Sequence, residues 1–153
     1  MQRRHFLKNT MATGAVALAA ASGLLVPVQV LAWNKKAFDA KDVQSAMKGS
    51  IGTELTEASD KITIKAPDIA ENGAVVPVTI SSTLSDVKSI TIISEKNGTP
   101  LIAKFNLQGK TQAFISTRIK MGKTSNVIAI CESGGKFYSA RKEVKVTIGG
   151  CGG

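Results

Sequence analysis

Residues 132–148 read "ESGGKFYSARKEVKVTI", and the fold follows from how that run divides. Gly134 and Gly135 stand where a tight hairpin turn requires positive φ, a conformation open to glycine without steric penalty. Past them the residues alternate. Tyr138, Ala140, Val144, Val146 and Ile148 share one face, while Arg141, Glu143, Lys145 and Thr147 share the other. A period of two with one apolar side predicts a strand that packs on a core and wets its back. Ile148 is the last residue with a reason to be buried. The five residues after it read "GGCGG": Gly149, Gly150, Cys151, Gly152 and Gly153.

Similar segments precede this one at short intervals. "KITIKAP" (61–67) sets Ile62 and Ile64 against Lys61, Thr63 and Lys65. "VVPVTIS" (75–81) puts Val76, Val78 and Ile80 on a common face, and Pro77, which cannot donate to a ladder, predicts an edge position. "SITIIS" (89–94) is followed by "EKNGTP", whose Asn97-Gly98 pair signals a hairpin. "LIAKFNL" (101–107) places Leu101, Ala103, Phe105 and Leu107 on one side. "TQAFISTRIKM" and "NVIAIC" complete the set, joined by "MGKTSN". Ahead of all of them, "AFDAKDVQSAMK" (37–48) spaces Phe38, Val43, Ala46 and Met47 as one short amphipathic helix, with Gly49 as its stop. About seven strands with turn signals every ten residues or so predict an all-β, immunoglobulin-like antiparallel β-sandwich with a short N-terminal helix and a flexible C-terminal arm.

The chain has 153 residues, enough for one domain and a targeting segment. Residues 1–33, "MQRRHFLKNTMATGAVALAAASGLLVPVQVLAW", begin with Arg3 and Arg4, turn apolar from Met11 to Ala32, and carry small residues before Trp33. That pattern predicts a cleaved signal over 1–32, which leaves a β-sandwich domain over 33–148 and the "GGCGG" arm over 149–153. A membrane anchor is the competing reading. A lipid-spanning helix wants about 20 predominantly apolar residues, and Thr13, Gly14, Ser22, Gly23, Pro27 and Gln29 interrupt this run. The adjacent arginines before "HFLK" resemble a twin-arginine export signal, which implies a protein exported folded to the bacterial periplasm.

Residue chemistry excludes several functions. The single histidine, His5, lies in the signal, so the mature domain has no imidazole for acid–base work or metal binding, and two cysteines alone make a poor zinc site. No serine stands in a nucleophile elbow, and the eleven acidic residues are scattered. Neither a catalytic residue nor a metal ligand is assigned. Of the formal charge of +9, Arg3, Arg4 and Lys8 supply three, leaving about +6 spread along the mature domain with few aromatics between. That composition argues against nucleic acid and suits small anions or an acidic partner.

The two cysteines, Cys131 and Cys151, read differently. Cys131 closes "NVIAIC" on the face of Val127 and Ala129, where a free thiol packs as a small hydrophobe. Cys151 has glycine on both sides. From Ile148 the chain reaches it in about 10 Å, long enough for the thiol to leave its own domain and enter another. An internal disulfide is possible by count, but the two settings argue against it. Three uses of Cys151 stay open on chemistry alone: a covalent carrier, a cross-link to a partner of a periplasmic binding sandwich, or an unused tail. A thiol–disulfide oxidoreductase is disfavoured, since no CxxC pair is present.

The terminal "VKVTIGGCGG", together with "STRIKMGKTSNVIAI", "GGKFYSARKEVKV" and "APDIAENGAVVPVTI", resembles the SoxY family, the cysteine-bearing subunits of the SoxYZ sulfur carrier. The likeness runs from about residue 38 to 153 and is most specific in the arm, all of whose glycines and cysteine are present. The resemblance implies a non-catalytic carrier that pairs with SoxZ, a second β-sandwich lacking its own signal. It implies Cys151 as the site of oxidative conjugation to thiosulfate by a c-type cytochrome. A di-manganese hydrolase then releases sulfate, and in some organisms a sulfur dehydrogenase oxidises the remaining sulfane. Haem and metals belong to those partners, and this chain is expected to hold no cofactor and, once its signal is cleaved, to contact no membrane. An exposed edge such as "VVPV" is the expected meeting place with SoxZ.

Overall fold

Two kinds of apolar pattern separate the strands into layers. The computed structural model describes residues 34–147. Strands that alternate, β2 (Ile62–Lys65), β4 (Val76–Ser82) and β7 (Phe114–Ile119), form a three-stranded antiparallel sheet in the order β2-β4-β7. Strands with continuous apolar runs, β5 (Val87–Ser94) and β8 (Ser125–Ser133), lie side by side in a six-stranded sheet. That sheet also holds β6 (Leu101–Asn106) beyond β5 and β9 (Lys136–Val146) beyond β8. Two short strands, β1 (Glu57–Ala58) and β3 (Ile69–Ala70), line the outer edge of β9. The architecture is an immunoglobulin-like sandwich.

The main core lies between the two sheets. Val76, Val78 and Ile80 of β4 face Ile90 and Ile92 of β5 and Val127, Ala129 and Cys131 of β8, all buried. From β9, Val144 is buried in the same core, with Tyr138, Ala140 and Val146 packed against it. The opposite face of the large sheet presents Ile93, Ile128 and Ile130, and helices α1 (Lys35–Asp39) and α2 (Val43–Ile51) cover them with Ala37, Ala46 and Met47. The turn at Gly134 and Gly135 has φ of 58° and 74°, joining Ser133 to Lys136 as the glycine pair predicts.

Five expectations are corrected or narrowed. The single helix is two: the first ends at Asp39 with Ala40 as its C-cap, and Asp42 caps the second, its carboxylate accepting from the Ser45 N–H at 2.8 Å. Gly49 lies within α2, and the stop is Gly52 at φ +80°. A Cβ on Gly49 would sit 2.8 Å from Ala37 Cα, so glycine there serves the contact between helices. The strand carrying Pro77 is the middle one of its sheet, yet it is unpaired on the β2 side over residues 76–78, so the edge expected at "VVPV" holds for that stretch and not for the strand. Pro77 is tolerated because β2 pairs only with residues from Thr79 onward, leaving it opposite Arg118 of β7 alone.

The face expected for β6 is split. Register shifts between Ile92 and Ile93, where Ala103 and Leu101 are their respective partners, so Leu101 joins the helix-side core while Phe105 packs on the main one. An extra residue in one strand reverses its alternation. Finally, β1 and β3 run parallel to β9 and bring the strand count among the described residues to nine.

Gly49→Ala separates helix propensity from packing. Propensity alone favours alanine by about 1 kcal/mol, whereas collision with Ala37 costs about 1–3 kcal/mol. The expected result is a lower urea midpoint, and a raised midpoint would show that the helices do not approach this closely.

Candidate functional site

The end of β9 is built to hold whatever follows it. Lys145 donates its N–H to the Asp68 carbonyl at 2.9 Å, and Thr147 donates its own to the Ala70 carbonyl at 3.2 Å. The Thr147 hydroxyl reaches the Glu71 carbonyl at 3.3 Å. On the other side β8 has not yet begun, and the Thr124 hydroxyl takes its place by accepting the Val146 N–H at 2.9 Å. Lys142 adds an ion pair to Asp68 at 3.0 Å.

Close packing keeps this bracket in position. The Met121 N–H donates to the Gly73 carbonyl at 2.7 Å, and a Cβ on Gly73 would collide with the Met121 carbonyl oxygen and lie 2.8 Å from Val146 Cγ1. Asn72 sets the turn, its side chain accepting the Ala74 N–H at 2.9 Å. Sequence reading missed the bracket because a two-residue parallel strand has no periodicity. "ENG" at 71–73 was its one local signal.

Of the residues assigned from sequence, Arg3, Arg4, Gly149, Gly150, Cys151, Gly152 and Gly153 lie outside the described residues. Covalent geometry alone sets the reach from the bracket. The four residues from Thr147 to Cys151 span at most about 14 Å.

Cys131 lies within the described fold and is fully buried in the main core. It stands in register between Ile90 of β5 and Tyr138 of β9, so both sides of its strand are occupied. Burial pushes its thiol up to about 11, against a smaller opposing effect of a hydrogen bond with the Ser82 side chain. A thiol so placed supplies almost no thiolate near neutrality and cannot meet another cysteine without opening the sandwich. Among the described residues, no three His, Cys, Asp or Glu side chains gather as a metal site.

A family profile described as "Sulfur oxidation protein SoxY" matches residues 47–151, from α2 to the arm cysteine. The chain belongs to the SoxY family. The solved structure of the sulfur carrier protein SoxY from Chlorobium limicola f thiosulfatophilum is 40% identical, with a TM-score of 0.62, over 67% of this chain and 94% of that one. The reeler domain of human F-spondin matches at 14% identity and a TM-score of 0.42, over 60% of this chain and 92% of that one. No curated protein matches. This SoxY family member therefore keeps its family's span through Cys151, while its other thiol is sealed in the core.

Two outcomes follow for the thiols. In native protein near pH 8, one of the two cysteines should react with a chromogenic disulfide, and the second only after denaturant is added; two fast thiols would contradict the packing of Cys131. The folded pKa of Cys131 lies above its unfolded value, so its contribution is intact below about pH 9 and is lost as pH rises toward 11. Cys131→Ala should remove an alkaline loss of about 2 kcal/mol between those limits. Denaturant midpoints measured on both proteins across that range test this.

Proposed function

We propose that the protein is the sulfur-bearing subunit of a periplasmic carrier, with the Cys151 Sγ as the atom to which thiosulfate-derived sulfur is attached. Burial of Cys131 carries this reading, because it removes one of the two cysteines of a SoxY family member from the candidates. An arm with no side chain beyond the thiol can enter narrow active sites of unlike shape, at some entropic cost on docking.

The chemistry balances with external enzymes. The Cys151 thiolate and thiosulfate join through a new S–S bond to give a Cys–S–S–SO3⁻ conjugate, and two electrons pass to a c-type cytochrome. Water, at a di-manganese hydrolase, then releases sulfate and two protons and leaves a persulfide on the arm. In organisms that oxidise it, a sulfur dehydrogenase acts on that sulfane. Within this chain the work is presentation, with catalysis assigned to the partners. SoxZ would be the stable companion, and Arg3 and Arg4 would direct export of the folded protein.

Cys151→Ser in a reconstituted system should lose thiosulfate-dependent cytochrome reduction completely while melting as the parent does. Intact mass of the parent after turnover should show additions on the C-terminal peptide that a reductant removes. A reducible protein dimer with no small sulfur adduct would instead identify a cross-linker, and full activity of Cys151→Ser would refute the carrier reading.

A further inference from the structure

All of the net charge of the described domain lies in one continuous stretch. Residues 96–131 carry six Lys and Arg and no Asp or Glu, while the remaining described residues carry eleven of each sign. The stretch holds β6, β7, the loops beside them and most of β8. Strands β6 and β7 are the edges on one side of the sandwich: β6 ends the large sheet and β7 the small one, and β2, at the far end of the small sheet, packs against β9. Lys96, Lys110, Arg118, Lys120 and Lys123 are exposed, and no carboxylate among the described residues forms an ion pair with any of them.

The outer edge of β7 is open within this charge. The Ser82 N–H donates to the Ala113 carbonyl at 2.9 Å, and the antiparallel pairing alternates from there, so Ile115, Thr117 and Ile119 turn their backbone groups to β4. The N–H and C=O of Ser116 and Arg118 therefore point the other way, where no strand among the described residues pairs with them. Both ends of this edge are tied off. Phe114 donates its N–H to the Gln112 carbonyl at 2.8 Å, and the Asn97 side-chain amide donates to the Lys120 carbonyl at 2.7 Å. Between them the open backbone is flanked by the Phe114 side chain, 49% exposed, and by the Arg118 and Lys120 side chains.

A bare edge invites pairing, and its charge decides with what. A second copy of this chain would set Arg118 and Lys120 against their own kind. Nucleic acid or an anionic lipid surface would use the cations and leave the Ser116 and Arg118 backbone unpaired. An extended protein segment bearing Asp or Glu meets every feature, with main-chain bonds at Ser116 and Arg118, ion pairs at Arg118 and Lys120 and an apolar contact at Phe114. The small sheet itself offers such a segment no repulsion, since β2, β4 and β7 contain no Asp or Glu.

We propose that the outer edge of β7 is a docking site for an acidic, extended segment of a partner protein, which joins the small sheet beside Ser116 and Arg118. The field of residues 96–131 steers that partner to this side of the domain. The edge makes no use of Cys151, so its failure leaves the carrier reading untouched, and loss of the carrier reading leaves the edge in place.

A peptide of alternating valine and glutamate, about eight residues long, serves as the probe, with a valine–lysine peptide of equal length as its control. In the full chain, the Ser116 and Arg118 amide resonances should move on titration with the acidic peptide and stay in place with the control, and added salt should weaken the binding. The double variant Arg118→Gln, Lys120→Gln should bind about fivefold more weakly. Ser116→Pro keeps every charge and removes only an outward donor, a change that an edge strand tolerates, and it should leave the Arg118 amide unmoved by the peptide. Binding undiminished in either variant, shifts at the lysines without the Ser116 and Arg118 amides, or an oligothymidylate that binds as well as the peptide would overturn the proposal.

Discussion

Strands β5 and β8 pair along most of their length and carry Ile90, Ile92, Ile93, Val127, Ile128 and Ile130, with apolar side chains on both faces. A sheet centred on them has no side to give to water and needs cover on each. The small sheet supplies one cover and the helices the other. Neither cover is large, which explains why Gly49 admits such close contact between α1 and α2 and why Lys104 reaches across to the Ser50 carbonyl at 2.8 Å. The position of β9 follows from the same pairing. It is held next to β8 over nine registered pairs, so its C-terminal end emerges where β8 begins.

Much of this could be read from the residues because side-chain periodicity is a local property. Val76, Val78 and Ile80 are buried as their alternation predicts, Cys131 packs beside Val127 and Ala129, and Gly134 and Gly135 turn with positive φ. Features set by distant contacts could not be read in that way. The parallel partners of β9 are two residues each, and their pairing depends on a chain that leaves the large sheet for β2 and then returns. The bulge opposite Ile92 and Ile93 converts one apparent face into two, a change that no count along residues 101–107 reveals. Gly49 follows a plausible helix end and reads as a stop, while its actual constraint comes from Ala37, twelve residues earlier.

The same division applies to the candidate site. The thiol proposed to carry sulfur is picked out by sequence, since Cys151 stands between two pairs of glycines. Its foundation is not, because Thr124, Gly73 and the carbonyls of Ala70 and Glu71 converge on β9 only through tertiary structure. The setting of the other cysteine is tertiary too: burial in the main core desolvates the Cys131 thiol and suppresses its ionisation.

The bracket around Thr147 has a mechanical consequence. A pull applied to the end of β9 along the strand axis meets bonds to β8, β1 and β3 that lie across that direction. Load applied this way shears many hydrogen bonds together, whereas a pull perpendicular to the sheet would break them one at a time. The last strand therefore transmits tension from its tip into the central sheet, and the domain can be towed by its terminus without fraying.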